Sequence, residues 1–319
     1  MNRLDRQSFL GADSDRILRN ATVGIVGLGG GGSHAVQQFA HLGIGRYVIV
    51  DPDVIEDTNT NRLVGGTLAD VAAQRPKVDI AVRIIQALQP DAVITPLPTL
   101  WQHAMEDLKG CDVIVGAVDS YAEREQLERF CRRFLIPYID MGMGVVELDA
   151  GLGYLVSGQV IASIPGQPCL KCCHFITPER LEEEAARYGV AGGRPQVVWP
   201  NGVLASTAVG LVVNMLTPWH TSPHGFVYLE YDGNIGTVKT SSWKDALESV
   251  ECSHYRPEEV GDPLFNVRKP PAAADPSRVT GLAGVDSLSP LDVPRRTWVQ
   301  RLMTAVGLRQ GGKGPKDRR

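Results

Sequence analysis

A glycine-rich turn between a strand-like run and a helical run constrains this chain more than any other feature of its sequence. Residues 22–27 form a β-branched run that suits a buried parallel strand, and residues 33–42 carry apolar side chains at helical spacing. Between these runs, Gly27, Gly29 and Gly32 match the GxGxxG spacing. Glycine lets a backbone turn tightly and approach a phosphate at the N-terminus of the following helix. The motif therefore predicts a nucleotide-binding unit, for either a dinucleotide or ATP.

Strand and helix patterns alternate through the first half of the chain. Further strand-like runs fall at residues 47–50, 93–96, 112–118 and 136–140, and helical patterns fall at 69–88 and 120–134. Such alternation is typical of a parallel, doubly wound α/β sheet. In the second half, residues 145–164 and a hairpin around Asp232-Gly233-Asn234 predict antiparallel strands, and residues 202–216 predict a buried helix. We therefore expect a Rossmann-like α/β fold with an antiparallel extension.

Charge divides the chain into two parts. Of the 32 Lys+Arg and 36 Asp+Glu, residues 1–255 hold 20 and 29, a net of −9, and residues 256–319 hold the remaining 12 and 7, a net of +5. Pro270-Pro271 marks a linker, and residues 295–308 predict a short basic amphipathic helix. We expect a folded domain over 1–255 and a Pro-rich, basic, largely disordered tail over 256–319. The tail lacks interleaved aromatic residues, so nucleic acid is not an expected partner.

The composition points to a cytoplasmic protein without a membrane partner. No run approaches about 18 uninterrupted apolar residues, and the N-terminus lacks the apolar core of a signal peptide. The 6 cysteines, three of them crowded at Cys169, Cys172 and Cys173, do not resemble a secreted disulfide framework. One metal site in a reducing compartment fits them better.

Charged residues beyond the second strand favour ATP over a dinucleotide. Asp51 ends that strand, where a carboxylate can hold ribose hydroxyls, and Arg62 and Lys77 follow. Two such cations can neutralise phosphate oxygens and stabilise a pentavalent phosphorus. A nicotinamide-dependent oxidoreductase is the first alternative function, but the second half shows no constellation for hydride transfer. A non-catalytic scaffold on the same fold is the second.

The order of these motifs resembles the ThiF/MoeB/HesA family, whose adenylation module is shared with ubiquitin-activating enzymes. The resemblance covers about residues 4–255 and is carried by residues 4–11, the glycine turn, and residues 51–53, 59–62, 75–77 and 118–120. It implies an enzyme that binds ATP and Mg²⁺ and adenylates the C-terminal carboxylate, usually of glycine, of a ubiquitin-like or sulfur-carrier protein or peptide. It also implies release of pyrophosphate and a homodimer.

The resemblance assigns roles to individual residues. The implied nucleotide contacts are Gly27, Gly29, Gly30, Asp51, Asp53, Asn61, Arg62 and Lys77. Asp119 matches the acid that holds magnesium, and Arg6 matches an N-terminal arginine that reaches the partner subunit's ATP. Together with Arg62 and Lys77, these two residues form the implied catalytic set. Leu63 stands where the family usually has Gln, and Thr60 where it usually has an apolar residue.

The cysteine spacing predicts a structural zinc site. Cys169 and Cys172 form a CxxC knuckle, and Cys252 and His254 follow the last hairpin, where the family usually has a second CxxC. A tetrahedral zinc accepts sulfur and nitrogen donors, so these four side chains can close a site. Cys173 or His174 is the alternative fourth ligand.

No cysteine occupies the segment where many relatives form a thioester. Residues 175–199 contain none, and Cys111 and Cys131 fall in strand and helix patterns that predict buried packing. Cys173 is the only spare thiol nearby. We therefore expect adenylation without a dedicated thioester, with transfer to an external sulfur or amine nucleophile.

Overall fold

The computed structural model describes residues 3–148, 151–186, 195–220, 226–248 and 250–261. Residues 270–271 and 295–308, for which the sequence predicts a linker and a helix, lie outside these ranges, so the domain boundary at residue 255 stays a prediction.

One mixed sheet organises the described part of the chain. Its eight strands are β1 (Thr22–Val26), β2 (Arg46–Val50), β3 (Val93–Leu97), β4 (Val113–Gly116), β5 (Tyr138–Glu147), β6 (Tyr154–Ser163), β7 (Val227–Asp232) and β8 (Thr237–Thr240). Their order across the sheet is β3-β2-β1-β4-β5-β6-β7-β8. The first five strands are mutually parallel, and the last three add antiparallel pairs. The predicted fold class, a doubly wound sheet with an antiparallel extension, is confirmed.

Helices cover both faces of the sheet. Within the described ranges they are α1 (Ser14–Asn20), α2 (Gly30–Leu42), α3 (Leu68–Ala72), α4 (Lys77–Leu88), α5 (Met105–Leu108), α6 (Tyr121–Arg133), α7 (Pro178–Ala186), α8 (Val198–Leu216) and α9 (Lys244–Leu247). Short 3-10 helices lie at Asp5–Leu10, Asp57–Asn59, Trp101–His103 and Pro257–Glu259. The pattern predicted over 69–88 is broken between α3 and α4, because Pro76 immediately precedes the first residue of α4.

The strand β5 is longer than the sequence pattern predicts. It runs for 10 residues and joins the run predicted at 136–140 to the start of the run predicted at 145–164. Its pairing with β6 continues from Tyr138↔Ser163 to Glu147↔Tyr154, and the ladder carries the strand through Gly142 and Gly144. Glycine weakens the strand pattern in a sequence, but it does not prevent a backbone from pairing.

The helix α8, which the apolar residues 202–216 predict to be buried, is buried on one face only. It packs on α2, β5 and β6, where Ala205, Ala208 and Val212 are fully buried, while Trp199 is 55% exposed. By length and composition alone, this 19-residue helix is also long and apolar enough to cross a membrane, because an 18-residue stretch of it has a mean hydropathy of 1.2. Within that stretch, 44% is buried inside the protein. A core helix of a soluble domain passes the same test.

Candidate active site

A cavity of about 350 Å³ opens where β1, β2 and β4 end. The strand β1 lies between β2 and β4, so the order of the strands reverses at this point of the sheet. Ligands of open α/β sheets bind at such a switch point, outside the carboxyl ends of the strands. The cavity therefore lies where the glycine motif predicts a nucleotide.

Eight of the predicted site residues line this cavity. They are Gly27, Gly29, Gly30, Asp51, Asp53, Arg62, Lys77 and Asp119. Two others, Asn61 and Arg6, are not among its lining residues. The chain thus brings together residues that span 93 positions of its sequence, from Gly27 to Asp119, at one edge of the sheet.

The glycine turn places the backbone of β1 against the start of α2. Gly27 has a φ of +86°, and a β-carbon there would lie 2.7 Å from the carbonyl oxygen of Ala117. At Gly32 a β-carbon would lie 1.8 Å from the carbonyl oxygen of Gly27, so the first turn of the helix contacts the end of the strand directly. Only glycine permits both approaches.

We expect Gly32→Ala to lower the free energy of unfolding by about 3 kcal/mol or more, because a backbone oxygen cannot rotate away from the added methyl group. Gly29→Ala is the matched control, since a β-carbon at Gly29 meets no atom within 4 Å. The control should stay within about 1 kcal/mol of the wild type. Urea unfolding of both variants measures the difference, and equal losses would contradict the close approach at Gly32.

Asp51, Asp53 and Lys77 form one hydrogen-bonded group in the cavity wall. The Asp51 carboxylate accepts the backbone N–H of Leu28 at 2.6 Å and that of Asp53 at 2.9 Å. The Lys77 ammonium lies 2.7 Å from an Asp53 carboxylate oxygen and 3.8 Å from one of Asp51. Burial raises the pKa of Asp51, while Lys77 and the two N–H groups lower it. The group ties the end of β2 to the glycine turn and holds the Lys77 ammonium in the cavity wall.

Arg62 lines the cavity, whereas the side chain of Asn61 is hydrogen-bonded to neighbouring protein groups. The Arg62 guanidinium donates to the carbonyl oxygen of Thr58 at 2.7 Å and to the side-chain oxygen of Asn61 at 3.0 Å. The Asn61 amide in turn donates to the backbone carbonyl of Gln196 at 3.0 Å. Asn59, from the same Asn-Thr-Asn-Arg motif, is the asparagine that lines the cavity. A direct contact between Asn61 and phosphate therefore stays a prediction, and Asn59, to which the motif assigned no role, lines the cavity instead.

Carboxylates gather on the opposite wall. Asp119 follows β4, and Glu123 lies in the first turn of α6, whose N-cap residue Ser120 accepts the backbone N–H of Glu123. Burial raises the pKa of Glu123, and the negative charges of Asp119, Glu184 and other nearby acids raise it further. A divalent cation would relieve the repulsion between these carboxylates, and Mg²⁺ is a hard cation that prefers oxygen ligands. The carboxylates of Asp119 and Glu123 therefore fit the predicted metal.

The four predicted zinc ligands converge in the structure. The ligand atoms of Cys169, Cys172, Cys252 and His254 lie within 4.8 Å of one another. The two knuckle sulfurs are 3.6 Å apart, and the Nδ1 atom of His254 lies 3.5 and 3.3 Å from them. Zn–S bonds of about 2.3 Å and Zn–N bonds of about 2.0–2.1 Å place the donors of a tetrahedral site about 3.8 and about 3.6 Å apart. The observed separations therefore fit a zinc ion.

The alternative fourth ligands lie outside this cluster. Cys173 is only 2% exposed, and burial raises the pKa of its thiol. The ring of His174 instead contacts that of Trp243, with 5.7 Å between the ring centroids and 46° between the ring planes. The geometry thus favours His254 as the ligand that completes the set. Cys111 and Cys131 are buried among apolar residues, as predicted.

Other residues of the cavity lie outside the sequence motifs and were not predicted. Glu123 and Arg124 lie on α6, and Gln196 and Asn201 lie far along the chain beside and within α8. The Arg124 guanidinium donates to Asp140 at 2.6 Å inside the protein. None of these residues belongs to a motif with a recognisable spacing to the glycine turn, and only the folded sheet places them there.

A glycine turn at a switch point, two cations and a set of carboxylates define a nucleotide-binding module of the Rossmann-like adenylation type. A model of the ThiF family matches residues 2–254, and the chain belongs to the ThiF family. The SAMP-activating enzyme E1 of Haloferax volcanii is 31% identical over 192 residues, which make up 59% of this chain and 67% of that enzyme.

Two further comparisons agree with this assignment. The sulfur carrier protein adenylyltransferase of Thermus thermophilus is 29% identical over 230 residues, which cover 68% of this chain and 80% of that protein. The crystal structure of E. coli MccB with ATP matches with a TM-score of 0.60 over 76% of this chain and 71% of that chain, and its 20% identity shows a shared fold. The predicted family and its enzyme class, adenylyltransferase, are confirmed.

Proposed function

We propose that this protein adenylates the C-terminal carboxylate, most simply that of a glycine, of a ubiquitin-like or sulfur-carrier protein or of a peptide, with ATP and Mg²⁺. The observation that supports this proposal is the convergence of Arg62, Lys77 and Asp119 on the glycine turn in one cavity. A dehydrogenase does not need two cations and a metal-binding acid at this position, so the oxidoreductase alternative rests on the glycine turn and Asp51 alone.

The reaction transfers the AMP moiety of ATP to the carboxylate. A carboxylate oxygen of the carrier attacks the α-phosphorus of ATP, and the bond to the bridging oxygen of the β-phosphate breaks as pyrophosphate leaves. The N-terminus of α2 and the N–H groups of the glycine turn face the phosphates. Lys77 and Arg62 stabilise the negative charge that develops on the phosphate oxygens. Asp119 would hold Mg²⁺, which supplies charge neutralisation when bound.

Exchange of labelled pyrophosphate into ATP tests the proposal directly. The purified protein should catalyse exchange only when a suitable carrier is present, because the adenylate forms reversibly on the carrier's carboxylate. Carriers and short peptides ending in Gly-Gly, encoded next to this gene, are the first substrates to test. A carrier lacking its last glycine is the control. Tight binding of NADH without any binding of ATP would contradict the proposal and favour an oxidoreductase.

We also propose that no thioester forms on the enzyme itself. Residues 175–199 contain no cysteine, and the thiol of Cys173 is buried with a raised pKa. A thiolate is the reactive form of cysteine, so burial makes Cys173 a poor nucleophile. The acyl-adenylate would pass to an external sulfur or amine nucleophile. A cytoplasmic location, as the sequence predicts, agrees with such a partner.

A homodimer with active sites completed in trans is a further part of the proposal. Arg6 is exposed on the 3-10 helix Asp5–Leu10 and does not line the cavity of its own chain. An exposed arginine on an N-terminal segment can reach the ATP of a partner subunit and act as an arginine finger.

We expect a mixture of Arg6→Ala and Asp119→Ala subunits to recover part of the activity that each variant lacks alone. One site of a mixed dimer would retain Asp119 and receive Arg6 from the other chain, so recovery should approach about a quarter of the wild-type rate, as random pairing predicts. Pyrophosphate exchange after subunit exchange measures it. Failure to complement, in a mixture shown to contain mixed dimers, would place Arg6 in its own site or outside the chemistry.

A further inference from the structure

Two side chains from the segment before α8 hold the stretch of chain that carries Asp119. The first is Glu184 on α7. Its carboxylate accepts the hydroxyl of Ser120 at 3.0 Å and the backbone N–H groups of Tyr121 at 3.1 Å and Ala122 at 3.0 Å. It therefore caps the N-terminus of α6, where a negative charge interacts favourably with the helix dipole. This cap lies directly after Asp119 in the chain.

The second side chain is Gln196, which contacts Asp119 itself. Its amide nitrogen donates to an Asp119 carboxylate oxygen at 3.0 Å, and its backbone carbonyl accepts the Asn61 side-chain amide at 3.0 Å. Gln196 also lines the cavity. A chain of contacts thus runs from Asn61, in the segment that follows β2, through Gln196 to Asp119, in the cavity wall beyond β4.

We propose that Glu184 and Gln196 are positioning residues for Asp119, and that Asn61 acts through Gln196 rather than on a phosphate. The proposal rests on the proposed function, in which Asp119 holds Mg²⁺. Hydrogen bonds to a metal-ligating carboxylate fix its orientation and reduce the conformational entropy lost when the metal binds. Each oxygen of a carboxylate has two lone pairs, so Asp119 can accept the bond from Gln196 and still bind a metal.

The test is a double-mutant cycle of Asn61→Ala and Gln196→Ala, read out by Mg²⁺ titrations of pyrophosphate exchange. Each single variant should raise the Mg²⁺ concentration at half-maximal rate by about 10-fold, with KM for ATP little changed, because outer partners of a metal site contribute about 10- to 100-fold to affinity or activity. The double variant should be no more impaired than the worse single variant, because both residues act through one contact. Additive losses, or a raised KM for ATP in Asn61→Ala alone, would overturn the proposal.

The positioning role of Glu184 on α7 is tested with a matched pair of variants. Glu184→Ala should raise the Mg²⁺ requirement as Gln196→Ala does, whereas Glu183→Ala removes a neighbouring, exposed carboxylate of the same helix and should not. Glu184→Gln keeps one acceptor oxygen and should recover part of the loss. If Glu184→Ala lowers the melting temperature without changing the Mg²⁺ requirement, Glu184 is only a helix cap and the proposal fails for it.

A second readout separates this inference from the proposed function. Mn²⁺ can replace Mg²⁺ in a spectroscopic titration of the protein with a non-hydrolysable ATP analogue, and this measurement needs no carrier and no turnover. Weaker Mn²⁺ binding in Gln196→Ala and Glu184→Ala supports the inference even if the wild type exchanges no pyrophosphate, a result that would contradict the function alone. Unchanged Mn²⁺ affinity in these variants of an active enzyme contradicts the inference alone.

Discussion

Asp119→Ala is expected to lower the rate of pyrophosphate exchange by about 100- to 1000-fold while the fold survives. A bound metal ion contributes several kcal/mol to the stabilisation of charge on a transferring phosphoryl group, and about 1.4 kcal/mol corresponds to a factor of ten in rate. Asp119 is exposed at the end of β4, and its removal leaves no cavity in the core. The loss should therefore appear in kcat and in the Mg²⁺ requirement, not in the melting temperature.

Two further variants make this result specific. Asp119→Asn keeps the size and one acceptor oxygen but loses the charge, so it should be nearly as impaired as the alanine variant if the charge binds metal. Glu106→Ala removes a carboxylate from α5 whose side chain is 83% exposed and does not line the cavity, so it should leave the rate unchanged. Exchange at the wild-type rate in Asp119→Ala would remove this residue from the active site.

The second large effect is expected at the cysteine–histidine cluster. We expect about one zinc per chain in the wild type, and Cys169→Ser or Cys252→Ser should abolish zinc binding and strongly destabilise the second half of the domain. Structural zinc contributes about 10–16 kcal/mol of binding free energy in zinc-finger peptides, and this free energy is coupled to folding. Metal analysis and thermal unfolding of each variant measure the two effects.

Cys173→Ser is the control for the zinc ligands, because its thiol lies next to the cluster in sequence but outside it in space. It should retain zinc and adenylation. Loss of zinc in Cys173→Ser would show that the ligand set is wrong. Retained zinc with an acyl-adenylate that forms but is not transferred would show instead that Cys173 is the nucleophile. Zinc content and pyrophosphate exchange on the same variant separate these outcomes.

The parts of the site that the sequence predicted are those encoded locally. Gly27, Gly29 and Asp51 follow strands whose apolar runs are recognisable, and parallel strands bring their carboxyl ends to one edge. The Cys/His cluster that could hold zinc was also indicated by the sequence, because a metal restricts residue types and spacing so strongly. His254 could be chosen over Cys173 only when the distances were known.

The parts that escaped prediction depend on contacts between remote segments. Asn61 meets Gln196 across 135 positions of the chain, and Gln196 meets Asp119 across 77. Periodicity reports the faces of one helix or strand, so it holds no information on which segments meet at a cavity. The 10-residue length of β5 was not predicted for a related reason, because pairing with β6, and not the residues of β5 themselves, keeps the strand continuous.

The charge balance of the cavity leads to an expectation about which form of ATP the protein binds. The wall residues Asp51, Asp53, Asp119 and Glu123 outnumber the cations Arg62, Lys77 and Arg124, and both Lys77 and Arg124 are already paired with an acid. Metal-free ATP, with the full charge of its triphosphate, would be repelled by this wall, whereas the metal complex arrives partly neutralised. The protein should therefore bind the metal complex of ATP more tightly than metal-free ATP. A higher ionic strength should reduce this difference in affinity, because salt screens the repulsion.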